Sequence, residues 1–401
     1  MYRQVFYTLL TRSSSTALNF LIALLVARHG GPSVKGEVTL LVTTVWFIIF
    51  ISNLLGGPVL IYLLPRHRLS RLLPPAYIWC LLVALAGYVL LRVMPLIPVE
   101  YAAPVTAMGL LSSVTSLHQS ALYAQKRIQI ANLLQVLPLI ILAGVLGVLY
   151  YVLPADKVKA YIYGYTAGYL FASILSCLYL FREIKLIPDE AKSIPEELPL
   201  LLRQGLIFQL TEVLQLLNLR YYFFQLGNQQ GMAYLGIYSV GISVLEAVWL
   251  IPRSIYTVNY VDISHQTNLR SAYQQTTRFL QVNFFWCAVV LAALYVVPSV
   301  AYVKVFGSGF AEVRHAIRFL FPGIWIYSGW WVMFSYYCGV GRYWPLIISS
   351  AFGSMALIAL SAYLLPRYVM SGAGLAATLS FAVATAVLGW YYLREGRGLV
   401  S

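Results

Sequence analysis

Residues 129–153 read QIANLLQVLPLIILAGVLGVLYYVL and contain no charged side chain. Crossing the hydrocarbon core of a bilayer takes about 20 apolar residues in a helix, and this run is long enough to do so. Similar runs recur along the whole chain and predict about twelve spans. The predicted spans cover residues 5–26, 38–64, 75–95, 102–124, 129–153, 158–181, 199–225, 232–257, 277–302, 313–338, 343–365 and 370–393. The predicted fold is therefore an all-α integral membrane protein.

The composition of the chain agrees with this prediction. Hydrophobic residues make up 60% of the 401 residues and charged residues 10%, whereas soluble domains carry roughly 25% charged residues. The net charge of +14 could indicate nucleic acid. However, the basic residues lie in short polar breaks between apolar runs, where topology signals are found, and no nucleic-acid motif accompanies them. The four cysteines stand alone in apolar runs, a pattern that favours neither a disulfide nor a metal site.

The longest polar break, REIKLIPDEAKSIPEE at residues 182–197, lies near the middle of the chain. It predicts a six-helix bundle over residues 1–182, a cytoplasmic linker over 183–198 and a second six-helix bundle over 199–401. When both termini are placed in the cytoplasm, the cytoplasmic breaks hold more Lys and Arg than the external ones. This bias predicts an N-in, C-in topology.

The two predicted bundles share a faint internal similarity. GGPSVKGEVTLLVTTVW follows the first span, and GNQQGMAYLGIYSVGISVLE follows the seventh. Aligning Gly36 with Gly236 places Thr39 and Thr43 opposite Ser239 and Ser243. A parallel duplication of a six-helix unit would explain this pairing.

Polar residues inside the first span form one face of a helix. Arg12, Ser15, Thr16 and Asn19 fall within an arc of about 100° when each residue turns the helix by 100°. Hydrocarbon excludes ionisable groups, so such a face normally points to a protein interior or a wet cavity. Arg12 could anchor a phosphate-bearing head group. Alternatively, it snorkels to the interface or contacts another helix.

The seventh and eighth spans carry the most informative polar residues. A stripe on the seventh span predicts a cavity wall; its members are Gln204, Thr211, Glu212, Gln215 and Asn218, with Arg220 near its edge. Glu212 is either a protonatable coupling site or the permanent partner of an arginine. The eighth span places Ser239, Ser243, Glu246 and Arg253 on one face, and Glu246 is a second candidate for ion coupling.

The fourth span is also polar, with Ser112, Ser116, His118, Gln119 and Tyr123. His118 is either a hydrogen-bonded packing residue or a proton relay. In the tenth span, Pro322 and Gly323 predict a weakened or kinked helix. The sequence has no Walker A motif, no recognised hydrolase motif and no sizeable loop to carry catalytic groups. It therefore favours a transporter over an enzyme and predicts no cofactor.

Four stretches of the sequence resemble one family in order along nearly the whole chain. They are ARHGGPSVKGEVTLL (27–41), GNQQGMAYLGIYSVGISVLEAVWLIPRSI (227–255), VFGSGFAEVRHAIRFLFPGIW (305–325) and SGAGLAATLSFAVATAVLGWYYLR (371–394). They look like the Wzx-type O-antigen and capsule translocases, the polysaccharide flippase branch of the multidrug/oligosaccharidyl-lipid/polysaccharide (MOP) exporter superfamily. The resemblance implies two six-helix bundles around a V-shaped cavity and a polyprenyl-pyrophosphate-linked glycan as substrate.

The resemblance adds Arg318 to Arg12 and Arg220 as candidates for pyrophosphate or sugar contact. The full set of cavity candidates is Arg12, Asn19, His118, Glu212, Gln215, Arg220 and Arg318, and the coupling-ion candidates are Glu212 and Glu246. The implied location is the bacterial cytoplasmic (inner) membrane, with the bilayer, a polysaccharide polymerase and glycosyltransferases as partners. Two alternatives stay open, a cation-coupled small-molecule exporter on the same fold and a non-transporting membrane scaffold.

Overall fold

A computed structural model describes residues 2–56, 69–94, 96–125, 127–152, 156–184, 198–264, 266 and 268–400. In these ranges the regular structure is helical throughout. The helices are α1 (Tyr2–Ser52), α2 (Leu69–Val93), α3 (Ala102–Ala124), α4 (Ile128–Tyr151), α5 (Lys157–Ile184), α6 (Leu198–Gln230), α7 (Met232–Glu246), α8 (Leu250–Ser264), α9 (Leu269–Val296), α10 (Ser299–Phe306), α11 (Val313–Gly339) and α12 (Trp344–Val400).

The helices confirm the predicted fold class. The observed helices differ from the predicted spans mainly in where they begin and end. The predicted span 102–124 coincides with α3. The first two predicted spans are joined in α1 across a break at Gly31, and the last two are joined in α12 across a break at Val369. The eighth predicted span is divided by a 3-10 turn, Ala247–Trp249. Pro322 lies inside α11, which continues through it as a helix.

Several of these helices are long and apolar enough to cross a membrane. Among the described residues six segments qualify by length and composition: Ser14–Leu55, Leu72–Val93, Ile128–Tyr151, Met232–Tyr260, Leu269–Val296 and Trp344–Gly398. α6 has 33 residues, which gives a length of roughly 50 Å at 1.5 Å per residue. That length exceeds the hydrocarbon thickness of about 30 Å.

The outer faces of the helices are suited to lipid. On α2, Ile78, Leu81 and Leu85 follow one another at helical spacing and are 60%, 58% and 59% exposed. An apolar stripe of this kind would be unfavourable in water, because each exposed aliphatic side chain forgoes about 1.5–3 kcal/mol of burial. In a bilayer the acyl chains solvate it at no such cost.

The described chain divides into two compact units. Unit 1 comprises Met1–Gly30 and Glu37–Gln209, and unit 2 comprises Gly31–Gly36 and Leu210–Ser401. The division therefore falls inside α6 rather than in front of it, and unit 2 includes six residues of α1. Residues 185–197, which make up most of the predicted linker, lie outside the described residues. The predicted boundaries of the two bundles stay a prediction.

Aromatic side chains fill the centre of unit 2. Tyr327 and Trp330 of α11 stack at a centroid distance of 5.2 Å, and Phe381 of α12 stacks on Tyr327 at 4.6 Å. Trp249 closes the cluster and donates its indole N–H to the carbonyl oxygen of Ile324 at 3.2 Å. α11 packs against α7, α8, α9 and α12, so it forms the core around which unit 2 is assembled.

Glycines at equivalent positions break the first helix of each half. Gly31 (φ 72°, ψ −173°) interrupts α1, and Gly231 (φ 101°, ψ 158°) separates α6 from α7. This backbone region is essentially restricted to glycine. The separation from 31 to 231 equals that from Gly36 to Gly236, the pair aligned from sequence. The break thus lies at the same register in both halves.

Side-chain hydrogen bonds repeat at the same register. The Thr43 hydroxyl donates to the Thr39 carbonyl oxygen at 2.8 Å, and the Ser243 hydroxyl donates to the Ser239 carbonyl oxygen at 2.8 Å. These are the four positions that the sequence alignment placed opposite one another. The repeated break and the repeated hydrogen bonds support the predicted internal duplication.

Candidate functional site

The polar residues of α3 form a hydrogen-bonded seam inside unit 1. Ser112 contacts the Tyr165 hydroxyl at 3.0 Å, and Thr115 contacts the Ser173 hydroxyl at 2.9 Å. One turn further on, His118 Nδ1 lies 2.6 Å from the Ser176 hydroxyl, and its Nε2 contacts the Tyr77 hydroxyl. His118 thus ties α3 to both α2 and α5, an arrangement typical of polar packing between membrane helices.

The rest of the α3 stripe is also engaged within unit 1. Gln119 donates to the carbonyl oxygen of Ala131 at 3.0 Å, and the Tyr123 hydroxyl donates to Asn132 Oδ1 at 3.2 Å. Ser116 donates to Asn53 at 3.1 Å. The geometry therefore favours the packing interpretation of His118, although its role as a cavity residue stays an open prediction.

The candidates on the first span are less informative. The side chain of Arg12 lies outside those that the structure describes, although its backbone is helical. Asn19 is exposed, and its amide donates to the Ser15 carbonyl oxygen at 2.9 Å, four residues earlier on the same helix. The predicted roles of Arg12 and Asn19 stay predictions.

In unit 2 the segment 31–36 touches α7 backbone to backbone. A Cβ on Gly36 would lie 1.8 Å from the carbonyl oxygen of Met232, and a Cβ on Gly236 would lie 1.8 Å from that of Pro32. The contact is reciprocal because each glycine faces the residue one turn before the other. Glycine is required at both positions, since any side chain would overlap a carbonyl group that cannot move aside.

A buried ion pair lies between α6 and α7. Arg220 Nη1 and Nη2 donate to the two carboxylate oxygens of Glu246 at 2.8 and 2.9 Å. The side chains are 8% and 21% exposed, and the guanidinium lies over the Phe223 ring at 5.0 Å. This two-pronged geometry is the strong form of the interaction. A substrate-binding candidate and a coupling-ion candidate from the sequence are therefore partners in the structure.

Three further groups surround this pair, and the sequence analysis missed them. Lys35, on the segment that contacts α7, is buried and lies within Coulombic range of Arg220. The hydroxyls of Tyr222 and Tyr238 are also buried close to Arg220, yet neither makes a hydrogen bond of good geometry. Their rings meet edge to face at 5.4 Å. The repeat of Gly36 and Gly236 was the signal that could have placed Lys35 beside α7.

Glu212 lies in a second charged group of unit 2. It is partly buried and within Coulombic range of Arg253 on α8. Arg253 is exposed and lies over the Trp331 ring of α11 at 5.1 Å. The sequence left open whether Glu212 is a coupling site or an arginine's partner. Arg253 is near enough to interact with Glu212, and both interpretations stay predictions.

A polar seam connects α6 with α12. The Ser354 hydroxyl donates to the Leu214 carbonyl oxygen at 2.7 Å, and the Ser380 hydroxyl donates to Asn218 Oδ1 at 2.9 Å. Gln215 is buried beside them, and the amide nitrogens of Gln215 and Asn218 have no hydrogen-bond partner. Thr211, Gln215 and Asn218 are thus buried within unit 2, and the side chain of Gln204 lies outside those that the structure describes. The cavity wall predicted for this stripe stays a prediction.

Arg318, the candidate supplied by the family resemblance, lies elsewhere. It is exposed on α11, and its guanidinium is 6.0 Å from the centroid of the Tyr295 ring on α9. The structure therefore brings together Arg220 and Glu246, with Glu212 and Gln215 on the same helix as Arg220. It does not join Arg318, Asn19 or His118 to that group.

Comparisons with known proteins identify the fold of this chain. No family model and no curated protein matches the sequence. Among solved structures, the lipid II flippase MurJ in an inward closed conformation superposes with a TM-score of 0.75 at 13% identity, over 100% of this chain and 91% of that one. An inward-facing MATE multidrug resistance transporter of the MOP superfamily gives 0.69 at 15% identity, over 96% and 95%.

A third similar structure is a MOP superfamily transporter from Pyrococcus furiosus, reported to have a binding pocket of reversed polarity. Its TM-score is 0.69 at 16% identity, over 100% of this chain and 96% of that chain. The chain thus has the twelve-helix fold shared by MOP superfamily transporters, and it is a multi-pass membrane protein. At these identities the likeness defines the fold, and the Wzx-type assignment within it stays a prediction.

Proposed function

We propose that this protein is a flippase that moves polyprenyl-pyrophosphate-linked oligosaccharide across the bacterial cytoplasmic membrane. The observation that carries the proposal is the Arg220 cluster, in which two buried cations, Arg220 and Lys35, accompany the carboxylate of Glu246. A membrane protein tolerates buried charge poorly, so charges of this kind usually mark a substrate pathway. The MOP fold supports the proposal, because one protein with this fold is a lipid II flippase.

The physical task explains the arrangement. A glycan with a pyrophosphate carries many polar groups, and each one left unsatisfied in hydrocarbon costs several kcal/mol. A polar, cationic interior removes that cost while the polyprenyl chain stays in lipid. Arginine suits the pyrophosphate because its planar fork of donors matches two phosphate oxygens. Exposing this interior to each leaflet in turn would complete the transfer.

The proposed setting is the assembly of O-antigen, capsule or exopolysaccharide. With both termini in the cytoplasm, glycosyltransferases would supply the lipid-linked glycan and a polymerase would consume it outside. An ion gradient or the membrane potential would drive the cycle, since about 2.3 kcal/mol is available per charge per 100 mV. Arg12 and Arg318 stay candidates for contacts with the pyrophosphate or the sugars, and Gln215 with the sugars.

The test is complementation of a strain from which the gene has been deleted. The deletion should remove surface polysaccharide, and the wild-type protein should restore it. Arg220→Ala should fail to restore it when equal amounts of protein reach the membrane. Full restoration by Arg220→Ala would remove Arg220 from the mechanism. Normal surface polysaccharide in the deletion strain would reject the proposed function.

A cation-coupled small-molecule exporter is the second candidate. Its support is Glu212, an ionisable group on α6 beside Arg253, together with the likeness to MATE transporters. This alternative expects the deletion strain to become sensitive to cationic drugs while its surface polysaccharide is unchanged. It also expects Glu212→Gln to abolish drug efflux. Measuring drug sensitivity and surface polysaccharide in the same strain separates the two candidates.

A further inference from the structure

We infer that one end of unit 2 carries a docking surface for an anionic phospholipid, built from the short helix α10 and the exposed face of α11 that it packs against. Its residues are Tyr295, Val300, Lys304, Arg318 and Trp325, and we call it the α10–α11 surface. The inference goes beyond the proposed function and does not depend on it. With the predicted N-in, C-in topology, this surface would meet the external leaflet of the membrane.

Helix α10 has the amphipathic form of an interfacial helix. Tyr302 and Phe306, four residues apart, are buried, and the ring of Phe306 contacts that of Phe310 at a centroid distance of 6.0 Å. Val300 and Lys304, also four residues apart, form an exposed face, and Val300 is 68% exposed. A helix that exposes valine beside lysine is poorly suited to water but well suited to the boundary between acyl chains and head groups.

Helix α11 extends the surface with a cation at the end of an apolar stripe. Arg318, Pro322 and Trp325 lie on one face of the helix, at spacings of four and three, and all are exposed. The guanidinium of Arg318 lies over the ring of Tyr295 on α9, at 6.0 Å from its centroid. Trp325 is about 10 Å further along the helix axis, at 1.5 Å per residue. The stripe therefore runs from the level of the head groups into the acyl chains.

The charge of the surface selects an anionic lipid. Residues 299–325 contain Lys304, Arg314 and Arg318 but a single carboxylate, that of Glu312. Within the described ranges, neither Lys304 nor Arg318 forms a salt bridge. The positive-inside bias disfavours a group of cations at an external end, so these cations call for a negative partner. An anionic head group supplies it, and each interfacial Lys or Arg adds roughly fivefold to the affinity.

The apolar part of the surface favours a lipid over a soluble anion. Trp325 is exposed, yet its indole N–H donates to the carbonyl oxygen of Phe284 at 3.0 Å. Tyr295 is also exposed, and its ring meets that of Phe321 edge to face at 5.8 Å. These contacts hold the two rings in place, so the surface is formed before a ligand arrives. A free phosphate would leave the rings uncovered, whereas acyl chains cover them.

The experiment counts the lipids that stay bound to the purified full-length protein in native mass spectrometry. Dioleoyl-phosphatidylglycerol should bind at least about tenfold more tightly than zwitterionic dioleoyl-phosphatidylcholine, which has the same acyl chains. In the double variant Lys304→Gln with Arg318→Gln, the affinity for the tightest phosphatidylglycerol should fall roughly 25-fold, because two interfacial charges are lost. Equal affinities of wild type for the two lipids would overturn the inference.

The matched control is the double variant Arg270→Gln with Arg278→Gln. It removes two exposed charges near the other end of α9 and should leave the affinity for the tightest phosphatidylglycerol unchanged. An equal loss in the two double variants would mean that the lipid responds to total charge, and it would overturn the inference. Val300→Asn keeps both cations and should weaken binding about fivefold by removing an apolar contact. Unchanged affinity in Val300→Asn would contradict the assigned role of α10.

Two other occupants of the surface would give different results. A second copy of this chain would appear as a dimer that dissociates in the Lys304→Gln, Arg318→Gln variant, and this outcome would overturn the lipid assignment. Farnesyl pyrophosphate, added at a concentration equal to that of phosphatidylglycerol, should leave most of the bound phospholipid in place. Complete displacement would assign Arg318 to a pyrophosphate, as the family resemblance implies, and would likewise overturn the inference.

Discussion

The α3 seam of unit 1 and the Arg220 cluster of unit 2 are both polar groups inside membrane helices, yet the seam is neutral and the cluster is charged. In the seam, the side chains of Ser112, Thr115 and His118 each have a partner on α5. In the cluster, a strong ion pair stands beside a second buried cation and two phenols without good hydrogen bonds.

The difference teaches how to separate structural polarity from functional polarity. A seam of neutral groups that satisfy one another lowers the energy of one arrangement and has nothing left to offer a ligand. A buried ion pair with a second cation nearby is costly to bury, and in a membrane protein such charges usually mark a functional site. Polarity alone, which is what a sequence displays, does not distinguish the two.

The largest expected effect comes from breaking the Arg220 pair. Arg220→Ala leaves the carboxylate of Glu246 buried without its partner and should lower the free energy of unfolding by roughly 3–5 kcal/mol. Thermal unfolding in detergent measures the loss. The control Arg342→Ala breaks a pair whose arginine side chain is 56% exposed and should cost about 0.2–1 kcal/mol. Similar losses in the two variants would mean that the Arg220 pair gains nothing from burial.

A second prediction concerns a double variant in which both charges of the Arg220–Glu246 pair are removed. Arg220→Met with Glu246→Met should recover most of the stability lost in Arg220→Ala, because buried ion pairs are often replaceable by apolar side chains. The double variant should still fail to restore surface polysaccharide. This outcome would separate the structural contribution of the pair from its function. Restored polysaccharide would show that the cluster only stabilises the fold.

Mutations in the contact between segment 31–36 and α7 should lower the stability almost as much as Arg220→Ala. Gly36→Ala forces a Cβ against the Met232 carbonyl and should cost about 1–3 kcal/mol, with Gly236→Ala behaving alike because the contact is reciprocal. Gly144→Ala on α4 is the control, since a Cβ there meets nothing within 4 Å. It should be neutral or slightly stabilising. Thermal unfolding of the three variants, measured side by side, tests the prediction.

Mutations in the α3 seam should change the stability of the protein but not its transport function. His118→Ala removes the contacts with Tyr77 and Ser176 and should lower the free energy of unfolding by about 1–2 kcal/mol. Surface polysaccharide per folded molecule should be unchanged, in contrast to the Arg220 variants. Loss of polysaccharide with normal stability would instead make His118 part of the transport path.

The smallest expected effect is a gain in stability. Val369 has a φ of 48° at the break in α12, a conformation that strains a β-branched residue. Val369→Gly should relieve this strain and raise the stability by about 1 kcal/mol, reduced by the greater freedom of glycine in the unfolded chain. A lower melting temperature for this variant would contradict the assigned strain.

The sequence predicted the helices well because lipid imposes one simple rule on every span. Ala102–Ala124 matched its predicted span, since apolar length decides where a membrane helix lies. The fused helices α1 and α12 were not foreseen, because the residues at their breaks, Gly31 and Val369, disclose their backbone angles only in the fold. Gly31 does lie in the motif that recurs near Gly231, so the sequence indicated where the break falls but not its backbone angles.

The candidate site was predicted in part for a related reason. Arg220 and Glu246 stood out because hydrocarbon excludes their charges, but their pairing depends on how α6 meets α7. Lys35 lies in a short break between predicted spans, where basic residues are common topology signals, so its sequence context did not predict burial. Its burial follows from the glycine contact with α7, which is a tertiary feature. Tyr222 and Tyr238 were indistinguishable from the many other tyrosines of the chain.

The six residues Gly31–Gly36 belong to unit 2 although they are made early in synthesis, within the first helix. Unit 2 is therefore incomplete until both ends of the polypeptide have emerged from the ribosome. A C-terminal fragment expressed by itself would expose the Gly236 face of α7 and would lack Lys35. Supplying a peptide with the sequence of residues 27–41 should rescue such a fragment.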